Sequence, residues 1–324
     1  MAKLNFGLSA ALFLISTTVA VHSQQLPQTR NAALRYWQAF GELQDPPGDK
    51  ATADTLEKVS AGDAPWKDSL SPIIEKNAFA IEIMQRATRL PECDWGLEYD
   101  LGPRASIAYV PRARVLARLN TVYGVRAETQ GDTPKAVDSW IAGIHFAQHL
   151  SHGGTLIFSL VAAKGLVSNL HELASAAEQG PTPVNAEQRK QVLAVVKQLP
   201  ETGLDWSRAL AYEESPLDIT VKLMREANNP AQYFQELMGR PAPTNFSVPN
   251  SDDTAAFHKL MKAAEEALRE SPDTAQPRLQ SLERDVKGLH PFYREVTPSF
   301  TRINDSRKQV LEARQRLLSA LNSR

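Results

Sequence analysis

The sequence predicts an all-α protein built from stacked antiparallel helical hairpins. Two observations favour this fold class: apolar residues recur at three- and four-residue steps along most of the chain, and alternating strand patterns are essentially absent. A third observation is the number of prolines, 21, many of which lie between the periodic segments. Proline lacks the backbone N–H and clashes with the preceding turn, so its placement indicates many helices separated by breaks.

The most regular stretch predicts three consecutive helices. Apolar side chains share one helical face over residues 115–125 and again over 136–147, on either side of a tight turn at 130–133. A third periodic run, 155–174, follows the pair of glycines at 153–154. Because the connections are short, the three helices are expected to pack antiparallel to one another.

The remaining predicted helices are bounded by proline, glycine or capping residues. They cover residues 31–43, 52–59, 65–90, 186–198, 204–227, 230–239, 254–270, 278–289 and 305–321. Asn185 is the expected cap of the helix that follows it, and Pro216 is the expected break within 204–227. Residues 240–253 contain three prolines and few apolar side chains, which predicts a long exposed loop or a mobile lid.

The length of 324 residues is enough for one large domain or two smaller ones. The Gly-Pro-Thr-Pro break at 180–183 suggests an N-terminal helical region, 26–179, and a C-terminal helical region, 184–324. One continuous domain is the alternative.

The first 23 residues have the composition of a secretory signal peptide. Lys3 supplies a positive charge, residues 8–21 form a short apolar run, and small residues follow it. We therefore expect an exported protein, periplasmic or secreted, with no transmembrane segment after the signal is removed. An uncleaved N-terminal anchor is the alternative.

Charge and cysteine content narrow the possible partners and stabilising bonds. The net charge of −1 gives no overall attraction to nucleic acid or to an anionic membrane, so neither is expected as a partner. Cys93 is the only cysteine, which rules out an internal disulfide. It is expected to act as a small buried hydrophobic residue, with a free thiol or an intermolecular link as alternatives.

The hairpin around the 130–133 turn resembles the tetratricopeptide repeat. The residues that carry the resemblance are Gly124, Ala127, Gly131, Ala136, Trp140 and Gly143. The resemblance implies that small residues let two helices approach closely while the tryptophan fills the space between them. Gln148 stands where that family usually has a closing proline. Segments 90–100, 111–126 and 131–157 are also similar to a group of secreted bacterial helical proteins, which implies the same fold and no particular activity.

A stripe of histidines follows the predicted second helix. Asp138, His145, His149 and His152 lie seven, four and three residues apart, which places them within about 60° of one another on a helical wheel. Imidazoles four residues apart can share a metal ion, and a carboxylate can complete the set, so a divalent metal such as zinc is one hypothesis. The other is a solvated face whose histidines are favoured by the helix C-terminus.

A run of acidic and aromatic residues precedes a run of arginines. Asp94, Trp95 and Glu98 belong to the first run, and Arg114 and Arg118 to the second. One hypothesis is a surface that binds a protein or peptide partner through these five residues. The alternative is that the acidic loop folds onto the arginine helix, so that carboxylates and guanidinium groups pair.

The leading expectation for function is an exported helical protein that binds a protein or peptide partner without a cofactor. Neither a nucleophile elbow nor a phosphate-binding loop is present in the sequence. A metal-dependent or carboxylate-based hydrolase of the cell envelope is the alternative, and whether the chain is an enzyme is left open. A third possibility is a structural envelope component that self-associates through its last helix.

Overall fold

The structure is a computed structural model that describes residues 29–44, 49–105, 107, 109–180, 184–244 and 246–323. Across these residues every regular element is a helix, and the only strand-like feature is an isolated bridge between Asn31 and Glu92. The predicted all-α class is therefore confirmed. The predicted signal peptide lies outside the described residues.

Among the described residues of the predicted N-terminal region there are seven α-helices. They are α1 (Ala32–Glu42), α2 (Lys50–Ser60), α3 (Ser71–Lys76), α4 (Ala78–Ala87), α5 (Val110–Thr129), α6 (Thr133–Ser151) and α7 (Leu156–Gln179). Seven more follow. They are α8 (Ala186–Gln198), α9 (Trp206–Glu226), α10 (Pro230–Met238), α11 (Ser251–Ala267), α12 (Pro272–Asp285), α13 (Pro291–Val296) and α14 (Phe300–Asn322). Short 3-10 turns occupy Asp68–Leu70, Tyr99–Arg104 and Val286–Gly288.

Most helices begin at a side chain that accepts a hydrogen bond from their first turn. Such a cap satisfies one of the backbone N–H groups that have no partner within the helix. The Asn185 cap was predicted. In return, Gln188 Oε1 accepts a hydrogen bond from the backbone N–H of Asn185. The other capping side chains are Asn31, Asp49, Asp132, Asp205, Asn229, Asn250, Ser271, His290 and Ser299.

Helices α5, α6 and α7 pack side by side at the centre of the fold, joined by tight turns. Close approach depends on small residues: a Cβ added to Gly124 would lie 2.4 Å from Trp140 Nε1, and one on Gly143 would lie 2.4 Å from Asn169 Oδ1. Trp140 is fully buried, and its Nε1 donates to the carbonyl of Thr121 at 3.2 Å. Glycine therefore makes room for a large side chain at each contact.

The C-terminal helices pack onto this centre. Helix α14 runs along α7, α12 packs on α14, and α9 packs on the Tyr99–Arg104 turn and on α11. Buried apolar side chains on both sides of residue 180 form one hydrophobic core. The division into two regions is still a prediction from composition.

Two expectations about helix continuity are wrong. Residues 65–90 do not form one helix, because buried Asn77 separates α3 from α4: its Nδ2 donates to Ile73 O, and its Oδ1 accepts from Gln44 N. A side chain that binds the backbone in this way competes with the helix. Conversely, α9 runs unbroken through Pro216, where packing on the Tyr99–Arg104 turn overrides the local preference.

Helix α7 is long and apolar enough to cross a membrane by length and composition, with a mean hydropathy of 1.2 in its best window. Lys164 interrupts its apolar run. In the fold, 56% of that window is buried, and the helix packs against α5, α6 and α14. These contacts are those of a core helix.

The loop predicted at 240–253 is shorter, since α11 begins at Ser251, and several contacts hold it. Phe246 packs on Phe234 with ring centroids 4.9 Å apart. Arg225 Nη2 donates to the carbonyl of Pro249 at 2.7 Å. These contacts give no support to the mobile-lid interpretation.

Candidate functional site

The structure places Trp95 in the hydrophobic core. Its side chain is 4% exposed, and its ring stacks on Tyr109 and Tyr36 with centroid distances of 4.7 and 5.4 Å. Its Nε1 donates to the carbonyl of His149 at 2.8 Å. The expectation that this loop presents Trp95 to a partner is wrong, because the large aromatic surface is better buried than hydrated.

The acidic residues around Trp95 belong to residues 91–104, which contact α1, α6 and α9 and which we call the strap. Asn31 Oδ1 accepts from Asp94 N at 2.9 Å, and Asn31 Nδ2 donates to Asp94 O at 2.8 Å. Farther along, the strap packs through Gly102 against Ile219 of α9. The side chains of Asp94 and Glu98 are exposed, so they remain available at the surface.

The arginines of α5 do not pair with the acidic strap. Arg118 Nη2 lies 2.8 Å from Glu57 Oε1, and Arg114 Nη2 lies 3.9 Å from the same oxygen. Glu57 belongs to α2, which packs on α5. The expected pairing between strap and helix is therefore wrong for Arg114 and Arg118, since a nearer carboxylate occupies that face.

The four residues of the histidine stripe have different environments. Asp138 and His152 are exposed, whereas His145 and His149 are half-buried. His149 Nδ1 forms a hydrogen bond of 2.7 Å with Tyr36 Oη. Across the described ranges, no group of three or more His, Cys, Asp or Glu side chains is placed to hold a metal ion. The zinc hypothesis thus stays a prediction from sequence, without geometric support.

Burial, together with the smaller effects of the neighbouring His152 and His145, lowers the pKa of His149 to about 4. An unfolded imidazole binds a proton near pH 6.5, whereas the folded protein takes one up at His149 only near pH 4. The folded-state pKa is depressed and the folded imidazole stays neutral. The protein therefore loses stability as the pH falls from about 6.5 to about 4.

A His149→Gln variant tests this effect, because glutamine can bond to Tyr36 but cannot titrate. Between pH 7 and pH 4.5, the free energy of unfolding of the parent protein should fall about 1–2 kcal/mol more than that of the variant. Urea unfolding at both pH values measures the difference. Parallel losses in the two proteins would show that His149 is not the titrating group.

A cavity of about 140 Å³ opens where the histidine stripe ends. It lies between the end of α6, the turn into α7 and the beginning of α9, and we call it the cleft. Its polar lining consists of Gln148, Ser151, His152, Asp205 and Arg208. Of the predicted site residues, His152 alone lines the cleft, and the other lining residues were not predicted.

Arg208 stands at the edge of the cleft and is exposed. Its Nη2 donates to Tyr212 Oη at 3.2 Å, and its guanidinium carbon lies 5.5 Å from the centroid of that ring. The guanidinium has five N–H donors, and this is the one bond they make to the part of the chain that the structure describes. Most of its hydrogen-bonding capacity therefore faces the solvent and the cleft.

A hydrogen bond and close packing fix the helices that form the cleft. Glu213 Oε1 accepts a hydrogen bond of 2.7 Å from the backbone N–H of Leu156, which ties α9 to the first turn of α7. Gly154 has a φ of +97°, and a Cβ there would lie 3.0 Å from Tyr99 Oη and 3.3 Å from Tyr212. Both the left-handed backbone and the lack of space require glycine at this position.

A second polar cluster, formed by residues that the sequence reading did not single out, joins α9 to α11. His258 bonds through Nδ1 to Glu214 and through Nε2 to Asp218 Oδ1, the latter at 3.0 Å. Burial, together with the hydrogen bond to Glu214 and the charge of that residue, raises the pKa of Glu265 to about 7. The spacing of Glu214 and Asp218 on one helical face is visible in the sequence, but His258 lies 40 residues farther on. Because both ring nitrogens are occupied, we interpret the cluster as a clasp between helices.

Comparison with known proteins gives no match: neither a family model, nor a curated protein, nor a solved structure is similar to the chain. The cleft is therefore the feature from which a function is inferred. It combines a concave volume with the guanidinium of Arg208, whose N–H groups make one hydrogen bond to the described residues.

Proposed function

We propose that this chain is an exported helical protein, periplasmic or secreted, that binds a protein or peptide partner at the cleft. The observation that carries the proposal is the position of the Arg208 guanidinium beside a concave volume of about 140 Å³ that is open to solvent. Concave sites with a few convergent polar groups are the usual places for ligand recognition.

The helical hairpins support a binding role. Gly124 and Trp140, and Gly143 and Asn169, pack as small and large partners across α5, α6 and α7. This is the packing expected of a tetratricopeptide-like array, and we propose that the three helices form one. Such arrays use extended surfaces between stacked helices to hold peptides or segments of proteins.

The size of the cleft indicates how much of a partner it takes. A cavity of about 150 Å³ holds a molecule of the size of benzene, so 140 Å³ is enough for one side chain or one chain terminus. The remainder of the partner would lie on the rim.

Export is supported by the composition of the first 23 residues, with Lys3 preceding the apolar run 8–21. The lone Cys93 fits the same proposal. Burial raises the pKa of its thiol to about 12, so the thiol is protonated and unreactive at neutral pH.

Quantitative capture of a partner tests the proposal. Tagged protein without residues 1–23 is incubated with an envelope extract of its source organism, as the parent and as the variants Arg208→Gln and Lys222→Gln. Lys222→Gln removes the same charge from the same helix, about 21 Å along its axis, and serves as the control.

We expect one saturable partner that is captured by the parent and by Lys222→Gln, and about tenfold more weakly by Arg208→Gln. A partner captured equally by all three proteins would remove the cleft from the proposal. Finding no saturable partner for the parent protein would contradict the binding function itself.

A further inference from the structure

We infer that the cleft recognises a carboxylate, which docks on the guanidinium of Arg208. This inference rests on the proposed function, which places the ligand in the cleft, and it adds the chemical class of the group bound. The observation behind it is the state of the guanidinium, whose one hydrogen bond within the described residues goes to Tyr212 Oη.

The contact with Tyr212 orients the guanidinium of Arg208 but uses one of its five N–H donors. The hydroxyl accepts from Nη2, and the ring lies under the guanidinium at 5.5 Å, so the planar group is held on one side. Nε and Nη1 make no hydrogen bond to the described residues. A guanidinium held in this way can donate two parallel hydrogen bonds to the two oxygens of a carboxylate.

Gln148, on α6, provides a second donor in the lining of the cleft. Its Oε1 is bonded to His145 Nδ1 at 3.3 Å, which leaves the amide nitrogen as the free end of the side chain. The hydroxyl of Ser151 is not counted as a donor to the ligand, because its Oγ already donates to the carbonyl of Gln148 at 2.6 Å. The polar lining therefore offers donors from both α6 and α9.

Asp205 is the one carboxylate on the polar lining of the cleft, and its role is already assigned by the fold. Its Oδ1 accepts the backbone N–H of Arg208 at 3.0 Å as the cap of α9. The positive end of the α9 dipole stabilises that charge. The hydrogen bond to Tyr212 and, more weakly, the charge of Asp205 raise the pKa of Arg208. Asp205 is not within ion-pair distance of the guanidinium, so the remaining N–H groups are open to an external anion.

Three sources of a carboxylate share this chemistry: the C-terminus of a peptide, an acidic side chain and a small free acid. Calorimetric titration of the leaderless protein separates them. The probes are sodium acetate, a short neutral peptide with a free C-terminus, the same peptide amidated, and an amidated peptide that contains one aspartate. Sodium chloride serves as a salt control.

We expect acetate to bind at millimolar concentration and the best peptide source to bind more tightly. Arg208→Gln should weaken binding of acetate about tenfold, Arg208→Lys should weaken it less, and Lys222→Gln should leave it unchanged. Gln148→Ala tests the second donor and should weaken acetate binding severalfold. Arg208 and Gln148 are not in the buried core, so circular dichroism should show all variants folded.

Acetate binding that is equal in Arg208→Gln and the parent would overturn the inference, as would no acetate binding at all. The result also separates the inference from the proposed function. If acetate binds but no partner is captured, the proposed partner binding is contradicted and the carboxylate inference stands. If a partner is captured independently of Arg208 and acetate does not bind, the carboxylate inference is contradicted.

Discussion

Replacing Trp140 with alanine should lower the free energy of unfolding by about 3–5 kcal/mol, the largest effect expected for this chain. The side chain is fully buried between α5 and α6, and it lies directly against Gly124. Its Nε1 donates to the Thr121 carbonyl, so the substitution removes a hydrogen bond and leaves a large cavity. Because the surrounding helices are joined by tight turns, they cannot close that cavity fully.

Urea unfolding followed by far-ultraviolet circular dichroism measures the loss. Trp37→Ala is the matched control, since the same residue type is 43% exposed on α1. The control should lose less than half as much stability as Trp140→Ala. Equal losses would show that the contact between α5 and α6 is not the centre of the fold.

Replacing Trp95 with alanine should also lower the free energy of unfolding by about 3–5 kcal/mol, and it should leave partner capture per folded molecule unchanged. The indole stacks on Tyr109 and Tyr36 and donates to the His149 carbonyl. It therefore links the strap to α1, α5 and α6. A residue in this position acts on stability, although its acidic neighbours suggested a binding surface.

Thermal unfolding and partner capture, measured on the same preparations, distinguish the two roles. Glu98→Gln changes an exposed neighbour of Trp95 and should alter stability by less than about 0.5 kcal/mol. If Trp95→Ala keeps its stability and loses its partner, the aromatic residue is a binding residue after all, and the core assignment is wrong.

The helical pattern was predictable wherever short-range signals agree. The Asn185 cap and the turn at 130–133 were assigned from sequence because both depend on neighbouring residues. The break at Asn77 was not, because its side chain is held by Gln44, which lies 33 residues away. Continuity through Pro216 likewise depends on packing between distant segments.

The candidate site was predictable only in part, for the same reason. Helical spacing led to His152, which lines the cleft. Arg208 and Asp205 lie more than 50 residues farther on, and the packing of α9 on α7 and on the Tyr99–Arg104 turn brings them there. The pairing of Arg118 with Glu57 is also long-range, so the charge pattern alone suggested the wrong carboxylates.

Site-specific photo-crosslinking tests most directly whether a partner occupies the cleft. A small diazirine amino acid, which leaves room in the cavity, is placed at Ser151, on the cleft wall, or at Lys222, outside it, and the leaderless protein is irradiated in an envelope extract. We predict an adduct of defined mass from position 151 that is strongly reduced by Arg208→Gln, and little adduct from position 222. Adducts of equal yield from both positions, or an adduct from position 151 that does not depend on Arg208, would contradict binding at the cleft.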